Sequence, residues 1–159
     1  MFKATLDKLS KGITLGVALL SLLMSGLFSF IPDSPFWIAL IPLVTLGLVI
    51  LFTFIYSPLG YSVNNEHLVI HRRINSFQIP KKSIQKVYAV SPAEMGSAIR
   101  LMGNGGMFGY TGIYRSKSQG TMEWFVTQRK NYLVIETNYK KKYVLSPDDV
   151  NACLNAIQL

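Results

Sequence analysis

Cysteine is almost absent from this sequence: Cys153 is the single one in 159 residues. One thiol excludes an intramolecular disulfide and any cysteine-based zinc site. Histidine is nearly as scarce, with only His67 and His71. On a helix their spacing would suit a metal pair, but on a strand it leaves them more than about 10 Å apart at about 3.3 Å per residue. With Glu66 on the opposite face, they read as surface or edge residues, and no metal or cofactor is expected. Phosphate-loop motifs are missing as well. The stretch Gly103–Gly120 is glycine-rich, yet it contains no Gly-Lys-Ser/Thr and no Gly-x-Gly-x-x-Gly ahead of a helix. Its glycines read as bends and bulges of a curved sheet. A second reading makes Met102, Met107 and Phe108 an apolar loop that touches lipid headgroups or a partner. No nucleophile stands in a recognisable elbow and no triad is visible, so the chain is not expected to be an enzyme.

Charge is missing from two long stretches, Gly12–Ile31 and Phe36–Tyr56. Each is long enough to cross the hydrocarbon core of a bilayer, about 30 Å at 1.5 Å per residue. Pro32, Asp33, Ser34 and Pro35 separate them, which allows a tight turn and an antiparallel pair. A cleaved signal peptide does not fit: the first run is too long, lacks a small-x-small cleavage site, and is followed at once by a second span. Neither run offers an ionisable group for a proton relay or ion pathway, so the hairpin reads as an anchor. Small residues mark a packing face: Ser21, Ser25 and Ser29 recur every fourth position, and Gly12 and Gly16 form a short GxxxG. Packing inside the hairpin is favoured over a homodimer face, because the partner helix is already tethered. Pro42 is expected to kink the second helix.

The formal net charge is +8, from 16 Lys plus Arg against 8 Asp plus Glu. Lys3, Lys8 and Lys11 precede the first apolar run, the short connection has none, and all other basic residues follow the second. The positive-inside rule then puts both termini in the cytoplasm. Juxtamembrane basic residues point to an anionic lipid surface as the partner and away from nucleic acid. The expected organisation is a cytoplasmic segment 1–11, a transmembrane hairpin 12–56 and a folded domain 57–159.

Beyond Tyr56 the pattern becomes that of short strands. Tyr61 and Val63 pair with Leu68–Ile70 around Asn64-Asn65. Further strands are read at Phe77–Ile79, Ile84–Val90, Met107–Tyr114, Thr121–Thr127, Tyr132–Thr137 and Lys141–Leu145, the last two flanking a hairpin at Asn138–Lys140. Ser146, Pro147 and Asp149 read as the capped start of a terminal helix whose apolar face is Val150, Cys153, Leu154 and Ile157. Strands followed by one closing helix are the pleckstrin-homology layout.

Gly105–Gly112, Thr127–Asn131 and Lys142–Asp149 resemble the signatures of bacterial PH-like domains attached to membrane spans. The resemblance covers about residues 60–159 and implies a PH-like barrel, a bacterial source and little about ligand. The basic pattern of phosphoinositide-binding PH domains is absent: the first hairpin offers His71, Arg72 and Arg73 with no preceding Lys in the first strand. The expected fold is therefore an α+β membrane protein, a two-helix transmembrane hairpin followed by a PH-like antiparallel β-barrel or sandwich with a C-terminal capping helix.

Arg72, Arg73, Lys81, Lys82 and Lys86 form the candidate lipid-facing set. Two readings fit them, an anionic-lipid contact and a solvated face that merely obeys the positive-inside rule. Lys140, Lys141 and Lys142 read as a solubilising turn. Three functions follow as expectations: a binding or scaffolding module at the bacterial inner membrane that recruits a protein or peptide, a sensor of anionic lipid headgroups, or an accessory subunit docked through the serine stripe.

Overall fold

The computed structural model describes residues 1–158. Two long antiparallel helices form where charge is missing. Helix α1 runs Lys8–Ser29 and α2 runs Trp37–Tyr56. Asp7 caps α1, its carboxylate accepting the Ser10 amide at 2.7 Å. Asp33 reverses the chain between the helices with φ of 58°. The serine stripe faces the partner helix: Ser21 Oγ donates to the Pro42 carbonyl at 3.2 Å and Ser25 Oγ to the Ala39 carbonyl at 2.7 Å. Ser29 instead bonds back to Ser25 within its own helix. Gly12 and Gly16 are exposed, with open space where a Cβ would stand. Both helices are long and apolar enough to cross a membrane, and only 6% of either apolar window is buried.

The strands make two sheets. The first has the order β1-β2-β3-β4, from β1 (Phe2–Lys3), β2 (Pro58–Val63), β3 (His67–Arg72) and β4 (Phe77–Pro80). A 3-10 turn over Lys81–Ser83 leads into β5 (Ile84–Val90), followed by α3 (Pro92–Met95) and β6 (Ala98–Gly106). Then come β7 (Gly109–Ser116), β8 (Gly120–Val126), β9 (Tyr132–Thr137), β10 (Lys142–Leu145) and α4 (Val150–Gln158). The second sheet has the order β5-β9-β10-β8-β7-β6.

Several expectations are corrected here. The two sheets do not close into a barrel, and the second is mixed, since β10 pairs with β8 in parallel. The reason is geometric. The loop between β8 and β9 leaves room for one strand, and β10 fills it. Because β8 and β9 run oppositely, a strand antiparallel to β9 must run parallel to β8. Met107 and Phe108 are not strand residues but the tip of the β6–β7 hairpin, where Gly106 pairs with Gly109. The N-terminal segment, for which no strand is expected, contributes β1 to the edge of the first sheet.

The terminal helix also starts later than its sequence signals. Asp149 is its cap, with Oδ1 accepting the Ala152 amide at 2.9 Å. Ser146 is fully buried and serves elsewhere. Its hydroxyl takes the amides of Thr127 and Gln128, and its own amide donates to the Tyr61 hydroxyl. A buried polar atom without partners is costly, so this serine is committed to joining three chain segments.

Strands β8, β9 and β10 are apolar on both faces. One face presents Phe125, Leu133, Ile135, Tyr143 and Leu145 to the first sheet and to Cys153 and Ile157 of α4. The expected apolar face of α4 is thus the one that packs. The other face carries Trp124, Val126, Tyr132, Val134 and Val144 into a second cluster with Met95 of α3, Tyr110 and Tyr114. Continuous apolar runs such as Tyr132–Ile135 follow from being covered twice.

Candidate functional site

The most constrained region is the junction between the helices and the sheets. Only Ser57 separates α2 from β2. Arg73 closes this end: its guanidinium donates to the Phe54 carbonyl and the Ser57 hydroxyl and lies 3.7 Å from the centre of the Phe54 ring. The Phe54 carbonyl also accepts the Ser57 amide and hydroxyl, so the cation adds a charged donor at the helix end and complements the negative end of the helix dipole.

On the α1 side, Asp7 is a hub. Besides capping α1 it accepts the Arg129 amide at 3.3 Å and the Tyr110 hydroxyl at 3.2 Å, while its own amide donates to the Thr127 carbonyl. The Arg129 guanidinium covers the Tyr110 ring at 4.3 Å. Burial, and after it the Asp7 carboxylate, pushes the Tyr110 hydroxyl up to about 12, so it stays a donor. Nearby, Asp148 accepts from the Thr5 amide and hydroxyl and from Gln128 Nε2.

The β6–β7 tip wedges against both helices. Ser10 Oγ accepts the Gly109 amide at 2.8 Å, and Thr14 Oγ1 accepts the Phe108 amide at 3.2 Å. Phe108 meets Phe54 edge-on with centroids 5.1 Å apart. Asn104 latches the turn, donating to the carbonyls of Met107 and Gly109 and accepting the Met107 amide. Gly106 has φ of 139°, a conformation that L side chains rarely adopt, and a Cβ there would press only on the movable end of the Ile13 side chain of α1, so the backbone is what calls for glycine.

The five basic residues singled out in the sequence do not converge. Arg72 lies at the helix-proximal end of β3, opposite Pro58, and covers the Phe125 and Phe77 rings at 4.9 and 5.5 Å. Its Nε is buried without a partner among the described residues, and desolvation lowers its pKa. Lys81 and Lys82 follow Pro80, which pairs with His67 at the other end of β3, five residues and about 17 Å away. Lys86 belongs to the second sheet and sits 5.0 Å from the Tyr88 ring. His71 Nε2 bonds Ser62 Oγ at 2.7 Å, while His67 stands beside Glu66. No group of metal-ligating residues occurs among the described residues.

Two concave surfaces flank β6, the exposed edge strand of the second sheet. One, of about 730 Å³, lies beside α3, with Met95, Ile99, Leu101, Arg115 and Lys117 on its walls. The other, of about 400 Å³, lies between β6–β7 and α2, with Val49, Phe52, Tyr56, Arg100, Met107 and Thr111. Sequence reasoning missed Asp7, Asn104 and Arg100. Asp7 alone carried a usable signal, an acidic residue just ahead of a helical run.

Two sheets with a closing helix have a counterpart in a known family, for residues 59–158 match the bacterial PH domain. The chain belongs to that family. Neither the curated proteins nor the solved structures contain a match. Members of the PH fold are in general binding modules without catalytic machinery. In this bacterial PH domain the matched region begins directly after α2, so the two apolar helices lie outside it while their bases are hydrogen-bonded into it.

Proposed function

We propose that this bacterial PH domain is a membrane-anchored binding and scaffolding module. In this reading α1 and α2 span the bacterial inner membrane, both termini are cytoplasmic, and the domain recruits a protein or peptide without catalysing a reaction. The observation that carries it is the pair of apolar helices left almost wholly uncovered by the rest of the chain. Soluble surroundings would expose two apolar helices to water, whereas a bilayer solvates them. Lysines before the first span and none between the spans set the orientation.

The recruiting surface is the free edge of β6 and the groove beside α3. Ile99 and Leu101 are 69% and 57% exposed there. An extended segment that adds to β6 by backbone pairing would place alternate side chains on this apolar floor and its carboxylates near Arg115 and Lys117. A photo-crosslinking side chain at Ile99 or Leu101 of the full chain in native membranes should give a discrete adduct, and one at Gln85 should not. A reporter fused at the C-terminus should be active only inside the cell. Equal crosslinking at all three positions, or a reporter active outside, would overturn the reading.

A further inference from the structure

Strand β6 divides its side chains between two surfaces at the point where its register against β7 shifts, between Arg100 and Met102. Ile99 and Leu101 line the groove beside α3, while Arg100 lines the crevice against α2. We propose that this crevice seats one anionic phospholipid of the leaflet that faces the PH domain. Its phosphate rests on the Arg100 guanidinium and an acyl chain runs along Val49 and Phe52. The inference rests on the membrane-anchored reading and adds a lipid site to it.

Three observations converge on this occupant. The first is continuity. Val49 and Phe52 are exposed members of a helix that is apolar from Trp37 onward, so the crevice wall is an extension of the surface that lipid would cover. From Trp37 to Tyr56 the helix rises about 30 Å, the thickness of a bilayer core, which sets its last two turns at the inner boundary. There an arginine can lay its stem on apolar surface and hold its charge among headgroups.

The second is charge. Arg100 takes part in neither of the ion pairs among the described residues, Glu66–His67 and Glu136–Lys142. The crevice lining carries no carboxylate. A planar guanidinium fits two phosphate oxygens at once, which a neutral headgroup oxygen does not reward equally. The other arginines at this end are engaged, Arg73 on the end of α2 and Arg72 over two aromatic rings.

The third is placement. The Arg100 side chain lies over Gly105, where an added Cβ would come within 2.6 Å of Nη1. The glycine gives the guanidinium a flat backbone bed, and Arg100 shares the crevice lining with Val49 and Phe52 of α2. Gly103 and Thr111 continue that wall, and Met107 closes it near the hairpin tip.

Native mass spectrometry of the full chain, released from nanodiscs of equal phosphatidylglycerol and phosphatidylcholine with matched chains, measures the retained lipid. The expected result is about a fivefold excess of phosphatidylglycerol, the preference one juxtamembrane cation confers. Arg100→Gln should bring the ratio to about one, and Lys81→Gln should leave it unchanged. Excess glycerol phosphate should not displace the lipid. No preference in the unaltered protein, an unchanged ratio in Arg100→Gln, or displacement by glycerol phosphate would each overturn the lipid site. Release of the protein from vesicles by alkaline carbonate would instead overturn the anchored reading, and the site with it.

Discussion

Glu136 shows how a half-exposed side chain is made useful at the residue scale. Its carboxylate meets Lys142 Nζ at 2.7 Å and accepts the Tyr88 hydroxyl at 2.9 Å. The Lys142 contact is the main cause that holds it below its ordinary value of 4.5. A depressed carboxylate contributes stability that is complete above its unfolded pKa and is lost as pH falls through the folded one. Thermal stability should therefore decline as pH drops below about 4.5, and Glu136→Gln should flatten that decline. Parallel melting profiles for the two proteins would show that the pair contributes nothing measurable. Cys153 illustrates the opposite environment. Burial on the inner face of α4 pushes its thiol up to about 12, which keeps the lone cysteine protonated where it packs against the core.

At the scale of elements, local patterns were readable and non-local pairings were not. The β2–β3 hairpin, strands β5, β8, β9 and β10, and the buried face of α4 follow from apolar and β-branched runs, helical periodicity and turn residues in the sequence. The two-residue β1 has no pattern of its own; it exists because Phe2 and Lys3 meet Tyr61 and Gly60. Strand β6 hid behind its glycines, and the parallel β8–β10 pair depends on strand order, which no local window contains. Ser146 looked like a helix cap because serine before proline usually is one, and a buried network claimed it first. Of the junction, only the α1 cap could be read ahead. Asp7→Ala removes that cap together with the Arg129 and Tyr110 contacts, and should lower unfolding free energy by about 1–2 kcal/mol. Denaturant unfolding in mild detergent measures this, and a loss below a few tenths would demote Asp7 to a bystander.

For the whole molecule, the matched region is bonded to chain that lies outside it. Residues 58–159 alone would lack β1, the Asp7 hub and the two helix bases that cover Gly109 and Phe108. A fragment of that span should exchange its β2 amide hydrogens faster than the full chain does, most of all at Gly60 and Tyr61. Equal protection in both would mean that β1 adds nothing to the sheet. The same interdependence explains why the helices join the domain without a linker: their ends are pieces of its fold.

The hydrogen bond from Thr5 to Asp148 joins positions 143 apart in the chain. If the hairpin crosses lipid, that bond can form only when the chain has passed through an even number of times, with start and finish on one side. A molecule in which a single helix inserted would strand Asp7 across the bilayer from Arg129 and leave a sheet short of its outermost member. Correct folding thereby doubles as a parity check on insertion, and a mis-threaded copy would betray itself to proteases by its loose domain.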